Sequence, residues 1–229
     1  MKAKTQLIVV AGGLGTRLGH AQPKALVELA ETPLLVRTLR AFQDPDLLEG
    51  AIVVYPQGHE DAFAAVLKQA FSDRSFKLVP GGKERYDSVR AGLQCLDPYT
   101  EFVAIHDAAR PFIEHDTIQA ALEAAQECGA ATVASRCSDT ILIADDQQQL
   151  DLTPERSRLW SCQTPQVFRR DLIESAYASP TPTTVTDDAT LVQLTGATVR
   201  IVEGTDTNLK ITTANDLNYA EFLIEKGLV

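Results

Sequence analysis

The chain of 229 residues is 45% hydrophobic and 23% charged and carries a formal net charge of -10. This is the profile of one ordinary folded domain, 1–229, and the negative sign excludes a general nucleic-acid binder, because such a surface repels phosphate backbones unless a local basic patch overrides it. No segment approaches the length that crosses a bilayer, and "MKAKTQ" leads into a strand-like run without a signal-peptide core, so a cytoplasmic protein with no membrane partner is expected.

Short apolar, β-branched runs recur at 6–10 (QLIVV), 51–55 (AIVVY), 76–80 (FKLVP), 102–106 (FVAIH), 130–134 (AATVA) and 198–202 (TVRIV), with helix-length segments between most of them. Ile118, Ala121, Leu122 and Ala125 share one face at helical spacing, as do Leu217, Ala220 and Ile224. Thr213 followed three residues later by Asp216 fits a capping box that starts the last helix. Buried strands alternating with amphipathic helices predict an α/β sandwich around a mostly parallel, twisted sheet. The stretch 136–158 (RCSDTILIADDQQQLDLTPERSR) breaks this rhythm: two strand-like pieces flank a polar turn, which reads as a projecting β-hairpin arm or else a long surface loop. The Thr/Pro-rich tract 179–186 reads as surface loop. Cys95, Cys128, Cys137 and Cys162 form no CxxC pair and read as reduced thiols.

In so acidic a chain, an anionic ligand must be met by a few focused cations beside glycine turns. The stretch 11–26 (AGGLGTRLGHAQPKAL), directly after the first strand, supplies both. It is not a dinucleotide fingerprint, since Leu18 stands where the third glycine counted from Gly13 and Gly15 belongs, and no Gly-Lys-Ser/Thr completes a Walker A loop. Its glycines still offer backbone N–H groups to phosphates, and Arg17 and Lys24 could embrace a phosphoryl group as charge builds on it. Three more polar segments follow strands, where open α/β sheets build their sites. One is 80–89 (PGGKERYDSV), a glycine turn with Ser88 suited to a base edge. Another is 105–111 (IHDAARP), which puts Asp107 beside Arg110; the carboxylate is either a magnesium ligand shared with phosphates or half of an ion pair. The third, 203–217, carries Asp206, Asn208 and Lys210 and is either a site element or a structural turn. His106 reads as a hydrogen-bonded core residue and His20 as solvent-facing. A phosphate-monoester nucleophile needs no general base, so the lack of an obvious Ser/His/Asp or Cys/His set is consistent with phosphate chemistry.

Taken in order, "AGGLGTRL" with "PK", "GGKERYDSV", "HDAARP", "DT" in the arm, "LWSCQTPQ", "TDDA" and "NLKIT" closely resemble the 2-C-methyl-D-erythritol 4-phosphate cytidylyltransferases. The resemblance runs almost end to end and implies a three-layer, Rossmann-like nucleotidyltransferase sandwich. It implies that CTP and methylerythritol phosphate react to give 4-diphosphocytidyl-2-C-methyl-D-erythritol and pyrophosphate, by in-line attack of the acceptor phosphate on the α-phosphorus. Arg17 and Lys24 would then stabilise the charge on that phosphorus. Ala11, Gly12, Gly13 and Gly15 would line the triphosphate, Gly82 and Ser88 would read the cytosine, and Asp107 would bind the nucleotide through Mg2+. Arg110, Thr140, Arg156, Thr164, Thr186 and Lys210 would form the acceptor pocket, with Arg156 and Lys210 positioning the nucleophilic phosphate. The arm would enter a neighbouring subunit of a homodimer. Lys83 departs from relatives that carry an acid at this place, and Arg156 is preferred to Arg158 by its spacing to "LW". A cytidylyltransferase for another polyol phosphate such as ribitol 5-phosphate, a nicotinamide-dependent oxidoreductase and a non-catalytic nucleotide sensor are the competing readings.

Overall fold

The computed structural model describes residues 3–15, 22–44, 48–179 and 185–229. The most apolar run of the sequence forms β1 (Thr5–Val10), which pairs in parallel with β4 (Gly50–Tyr55) on one side and β6 (Phe102–Asp107) on the other. Beyond β4 lies β5 (Lys77–Pro80), also parallel. Beyond β6 lies β10 (Trp160–Arg169), antiparallel both to β6 and to β7 (Ala130–Arg136), and β11 (Arg200–Glu203) closes the sheet parallel to β7. The seven strands therefore run β11-β7-β10-β6-β1-β4-β5.

Alternation along the central strands builds two cores. Leu7 and Val9 point to one face, where they meet α1 (Leu34–Ala41), α2 (Glu60–Ala70) and α4 (His115–Cys128) through Leu35, Leu39, Phe63, Ile118 and Leu122. Ile8 points to the other, where α3 (Arg85–Leu93), α5 (Arg170–Ala178) and α6 (Asp188–Leu194) pack through Val89, Leu93, Ile173 and Val192. With both faces covered, the strands can be apolar on both sides, which is why they read as continuous hydrophobic runs. A satellite core joins the hairpin β2 (Glu28–Leu29) and β3 (Thr32–Pro33) to α7 (Ala214–Glu225) through Leu29, Leu34 and Ala220. The capping box expected at the start of α7 is present, with Asp216 Oδ2 accepting the Thr213 N–H at 2.7 Å.

The six expected strands all form, and β10 is the addition. Its sequence (WSCQTPQVFR) carries a proline and several polar side chains that argue against a central strand. The register shifts between Cys162 and Gln166, and this bulge takes up Pro165, which has no N–H for the ladder. The region expected as an arm contains the antiparallel pair β8 (Ile143–Ala144) and β9 (Leu150–Leu152). Asp145 Oδ1 shapes its tip by accepting the N–H groups of Gln147 and Gln149. Ile141, Leu142, Ile143, Leu150 and Leu152 are all exposed on it. Among the described residues no helix is long and apolar enough to cross a membrane, and all four cysteines are free.

Candidate active site

The C-terminal ends of β1, β4, β5, β6 and β11 open on one edge of the sheet, and because β10 runs the other way its first residues come to the same edge. A cleft of about 380 Å³ lies there, lined by residues that follow β1, β5, β6 and β11. This volume falls within the usual range for small-ligand sites.

The first wall is the glycine loop. Ala11 donates its N–H to the Val54 carbonyl at 2.8 Å, and Gly12 and Gly13 continue along the cleft. Lys24 N–H returns to the Gly13 carbonyl at 3.0 Å, which brings the Lys24 side chain over Gly13. Gly15 sits outside the cleft lining with φ of 74°, and a Cβ on it would stand 3.2 Å from Gln22 O and Lys24 N. Its part is to let the two limbs of the loop approach, which a side chain would prevent. Arg17 and His20 lie outside the described residues.

The second wall is the turn into α3. A Cβ on Gly82 would fall 2.1 Å from Cβ of Asp87, so only glycine fits against the capping box formed by Glu84 and Asp87. Ser88, buried in the first turns of α3, accepts the Gly82 N–H at 3.3 Å and donates to Glu84 O at 3.2 Å. Ser88 therefore fixes the turn whose backbone faces the cleft.

Asp107 forms the floor at the end of β6. Lys210 Nζ lies 2.9 Å from its Oδ2, Arg110 Nε 3.4 Å from the same oxygen, and Arg85 Nε 3.6 Å from Oδ1. Burial alone would raise the Asp107 pKa, but Lys210, Arg85 and Arg110 together hold it well below the usual carboxylate range. Arg110 reads as the ion pair that the sequence left open, and it also donates to Asn208 O at 2.8 Å and Cys162 O at 3.3 Å. It lies beneath the cleft and braces three segments. Thr164 is buried beside it, accepting the Asp107 N–H at 3.1 Å and meeting His106 Nδ1 at 3.0 Å. His106 is fully buried, its Nε2 is 3.1 Å from Arg110 O, and burial lowers its pKa to about 4. It is a neutral core histidine, as the sequence suggested.

The cleft thus gathers Ala11, Gly12, Gly13, Lys24, Gly82, Ser88, Asp107 and Lys210. Thr140, Arg156 and Thr186 are exposed and outside its lining; Arg156 stands near the base of the arm, where Nη1 donates to Ser138 O at 3.3 Å. The sequence reading passed over Arg85 and Asp188. Arg85 lines the cleft inside the quoted "GGKERYDSV", and Asp188, 2.7 Å from Arg85 Nη2, belongs to the quoted "TDDA". Both lie inside those motifs, but a pairing between residues 103 positions apart has no signal in spacing.

The geometry agrees with comparisons to known proteins. A family model described as 2-C-methyl-D-erythritol 4-phosphate cytidylyltransferase matches residues 5–226. A protein of that name from Alkaliphilus oremlandii is 37% identical over 226 residues, covering 97% of this chain and 96% of its own. A crystal structure of 4-diphosphocytidyl-2C-methyl-D-erythritol synthase from Anaerococcus prevotii superposes with a TM-score of 0.86 at 29% identity, covering 98% of this chain and 100% of that one. The crystal structure of the cytidylyltransferase from Thermus thermophilus gives 0.77 at 30% identity, with coverages of 98% and 100%. With a family model matched over 5–226, a relative 37% identical over nearly its full length and the fold shared with solved structures, the chain belongs to the 2-C-methyl-D-erythritol 4-phosphate cytidylyltransferase family.

Proposed function

We propose that the chain transfers the cytidylyl group of CTP to 2-C-methyl-D-erythritol 4-phosphate, giving 4-diphosphocytidyl-2-C-methyl-D-erythritol and pyrophosphate. The observation that carries this reading is the charge of the cleft. In a chain of net charge -10, four cations (Lys24, Lys83, Arg85 and Lys210) line one cavity against the two carboxylates Glu84 and Asp107. Such a site selects a polyanion and stabilises charge that grows during reaction.

In this reading the triphosphate lies along Ala11, Gly12 and Gly13, with the loop shape kept by Gly15, and the cytosine meets the turn held by Gly82 and Ser88. The acceptor's phosphate oxygen attacks the α-phosphorus in line. Its oxygen is already anionic near neutral pH, so the neutral, buried His106 has no proton to take. Lys24, with Arg17, meets the charge on the five-coordinate phosphorus, and Lys210 orients the acceptor phosphate. Arg110 and Thr164 support this pocket from below, whereas Thr140, Arg156 and Thr186 contact the acceptor from exposed segments. The exposed apolar arm suits a homodimer in which it carries Thr140 and Arg156 to the partner's cleft.

Asp107 would hold magnesium. Among the described residues no three His, Cys, Asp or Glu side chains cluster into an all-protein cage. A site with so few carboxylates still suits this hard cation, which keeps waters and shares phosphate oxygens. When bound, the ion supplies neutralisation of the triphosphate charge.

The test is pyrophosphate release from CTP with each acceptor. Methylerythritol phosphate is expected to give the higher kcat/KM; preference for ribitol 5-phosphate would overturn the assignment of acceptor.

A further inference from the structure

Arg85 stands between two carboxylates from distant parts of the chain. Nη2 is 2.7 Å from Asp188 Oδ2 and Nε is 3.6 Å from Asp107 Oδ1. The Asp188 side chain is 2% exposed and held from several directions. Its Oδ1 accepts the Tyr177 hydroxyl at 2.6 Å, and its N–H and that of Ala189 both donate to the buried Gln166 Oε1 at 3.0 Å. Its Oδ2 has no aligned hydrogen-bond donor, so the guanidinium charge is what balances it. Asp188 is thus a fixed anchor at the start of α6, and Arg85 carries its position to the cleft carboxylate. A planar guanidinium can span two carboxylates in this way, whereas an ammonium serves one point. Asp188 also lies two residues beyond Thr186, so the anchor belongs to the segment assigned to the acceptor.

We infer that Arg85 is a positioning residue that ties the first turn of α6, two residues beyond Thr186, to Asp107 on the nucleotide side, so that nucleotide in the cleft steadies Thr186 and the start of α6 for the acceptor. This rests on the reading that CTP occupies the cleft and the acceptor meets Thr186. The tie makes the two half-sites thermodynamically coupled, and coupling of this kind typically changes affinity by about five- to a hundredfold.

The test uses the full chain with magnesium, comparing wild type with Arg85→Gln, Arg85→Lys and Asp188→Asn. Hydrogen exchange is followed in 11–15 and 187–194 with and without CTP, CTP affinity is measured by calorimetry, and acceptor KM and kcat are measured at saturating CTP. In wild type, CTP is expected to protect both segments. In both Arg85 variants, protection of 11–15 should remain while that of 187–194 is lost, and acceptor KM should rise about tenfold, well beyond the fall in CTP affinity from losing one of the four cleft cations. Arg85→Gln combined with Asp188→Asn should be no worse than Arg85→Gln alone, since both cut one tie. If CTP affinity falls as far as acceptor KM rises, Arg85 is an ordinary nucleotide ligand and the inference is wrong. It is equally overturned if 187–194 does not respond to CTP in wild type, or if the double variant is additive. Should Asp188→Asn fail to fold, the variants at the partly exposed Arg85 decide the matter alone. Absence of pyrophosphate release from wild type with methylerythritol phosphate would count against the proposed reaction, while the response of 187–194 to CTP would still test the tie.

Discussion

Lys24 and Lys210 reach one cleft in different settings. Lys210 lies 2.9 Å from Asp107 at the floor, and Lys24 lies over Gly13, along the path assigned to the triphosphate. A cation used chiefly when charge builds on phosphorus contributes more to the transition state than to the ground state. Lys24→Ala should therefore lower kcat by about two orders of magnitude with a much smaller loss of CTP affinity; equal losses in a paired calorimetric and kinetic measurement would make it a binding residue only. His106 gives a second prediction at this scale. The unfolded chain takes up a proton near the ordinary value of 6.5, whereas burial keeps His106 neutral in the fold until about pH 4. The unfolded state binds more protons in that window, so its contribution is complete above it and is lost as pH falls. Stability should drop by about 2 kcal/mol between about pH 7.5 and pH 5 through this group. Urea unfolding of wild type and His106→Asn at both values checks this: the variant should show a smaller drop, and equal drops would assign the loss to other groups.

Among the elements, the turn between β2 and β3 is strained. Ala30 and Glu31 have φ of 45° and 60°, the left-handed region that residues with a Cβ avoid. Arg37 secures the turn by donating Nε to Leu29 O at 2.7 Å and Nη2 to Ala30 O at 3.0 Å. Replacing Glu31 by Gly should relieve the strain and stabilise the chain by about 0.5–1 kcal/mol after the entropy cost of glycine; a lower urea midpoint would show that the strain is not there. This turn and β10 also show where sequence reasoning stops. The parallel strands were legible because burial on both faces demands unbroken apolar runs, and α4 and α7 because one-sided burial imposes a 3.6-residue period. Strand β10 escaped because its polar residues are satisfied by partners far away: Gln166 Nε2 donates to Thr132 Oγ1 at 3.1 Å and Asn208 Nδ2 donates to Gln163 Oε1 at 2.9 Å. For the site, glycine turns and cations beside strand ends marked most of the cleft. The brace of Arg85 by Asp188 exists only once the sheet has brought α3 and α6 together.

For the whole molecule, the exposed Leu142, Leu150 and Leu152 on the arm are the apolar surface the proposed dimer would cover. Leu142→Asp with Leu150→Asp should shift sedimentation to the monomer and make activity fall with it; a dimer that survives would place the interface elsewhere. Mixing Lys24→Ala with Arg156→Ala subunits tests whether the arm serves its neighbour. A site built from two chains leaves one intact cleft in each mixed dimer, so about a quarter of wild-type activity should return, and no recovery would mean that Arg156 serves its own chain.

The pairing of β7 with β10 gives the arm its mechanical character. Trp160 faces Arg136, the Cys137 N–H donates to Leu159 O at 3.1 Å, and the Arg136 guanidinium lies 4.4 Å from the Trp160 ring, so the two strands continue out of the sheet as one ribbon whose overhang is the arm. Four residues inward from Trp160 on that ribbon is Thr164, which holds the Asp107 N–H. In the proposed dimer, a lever whose far end grips the partner would thus have its fulcrum under the carboxylate floor of its own cleft.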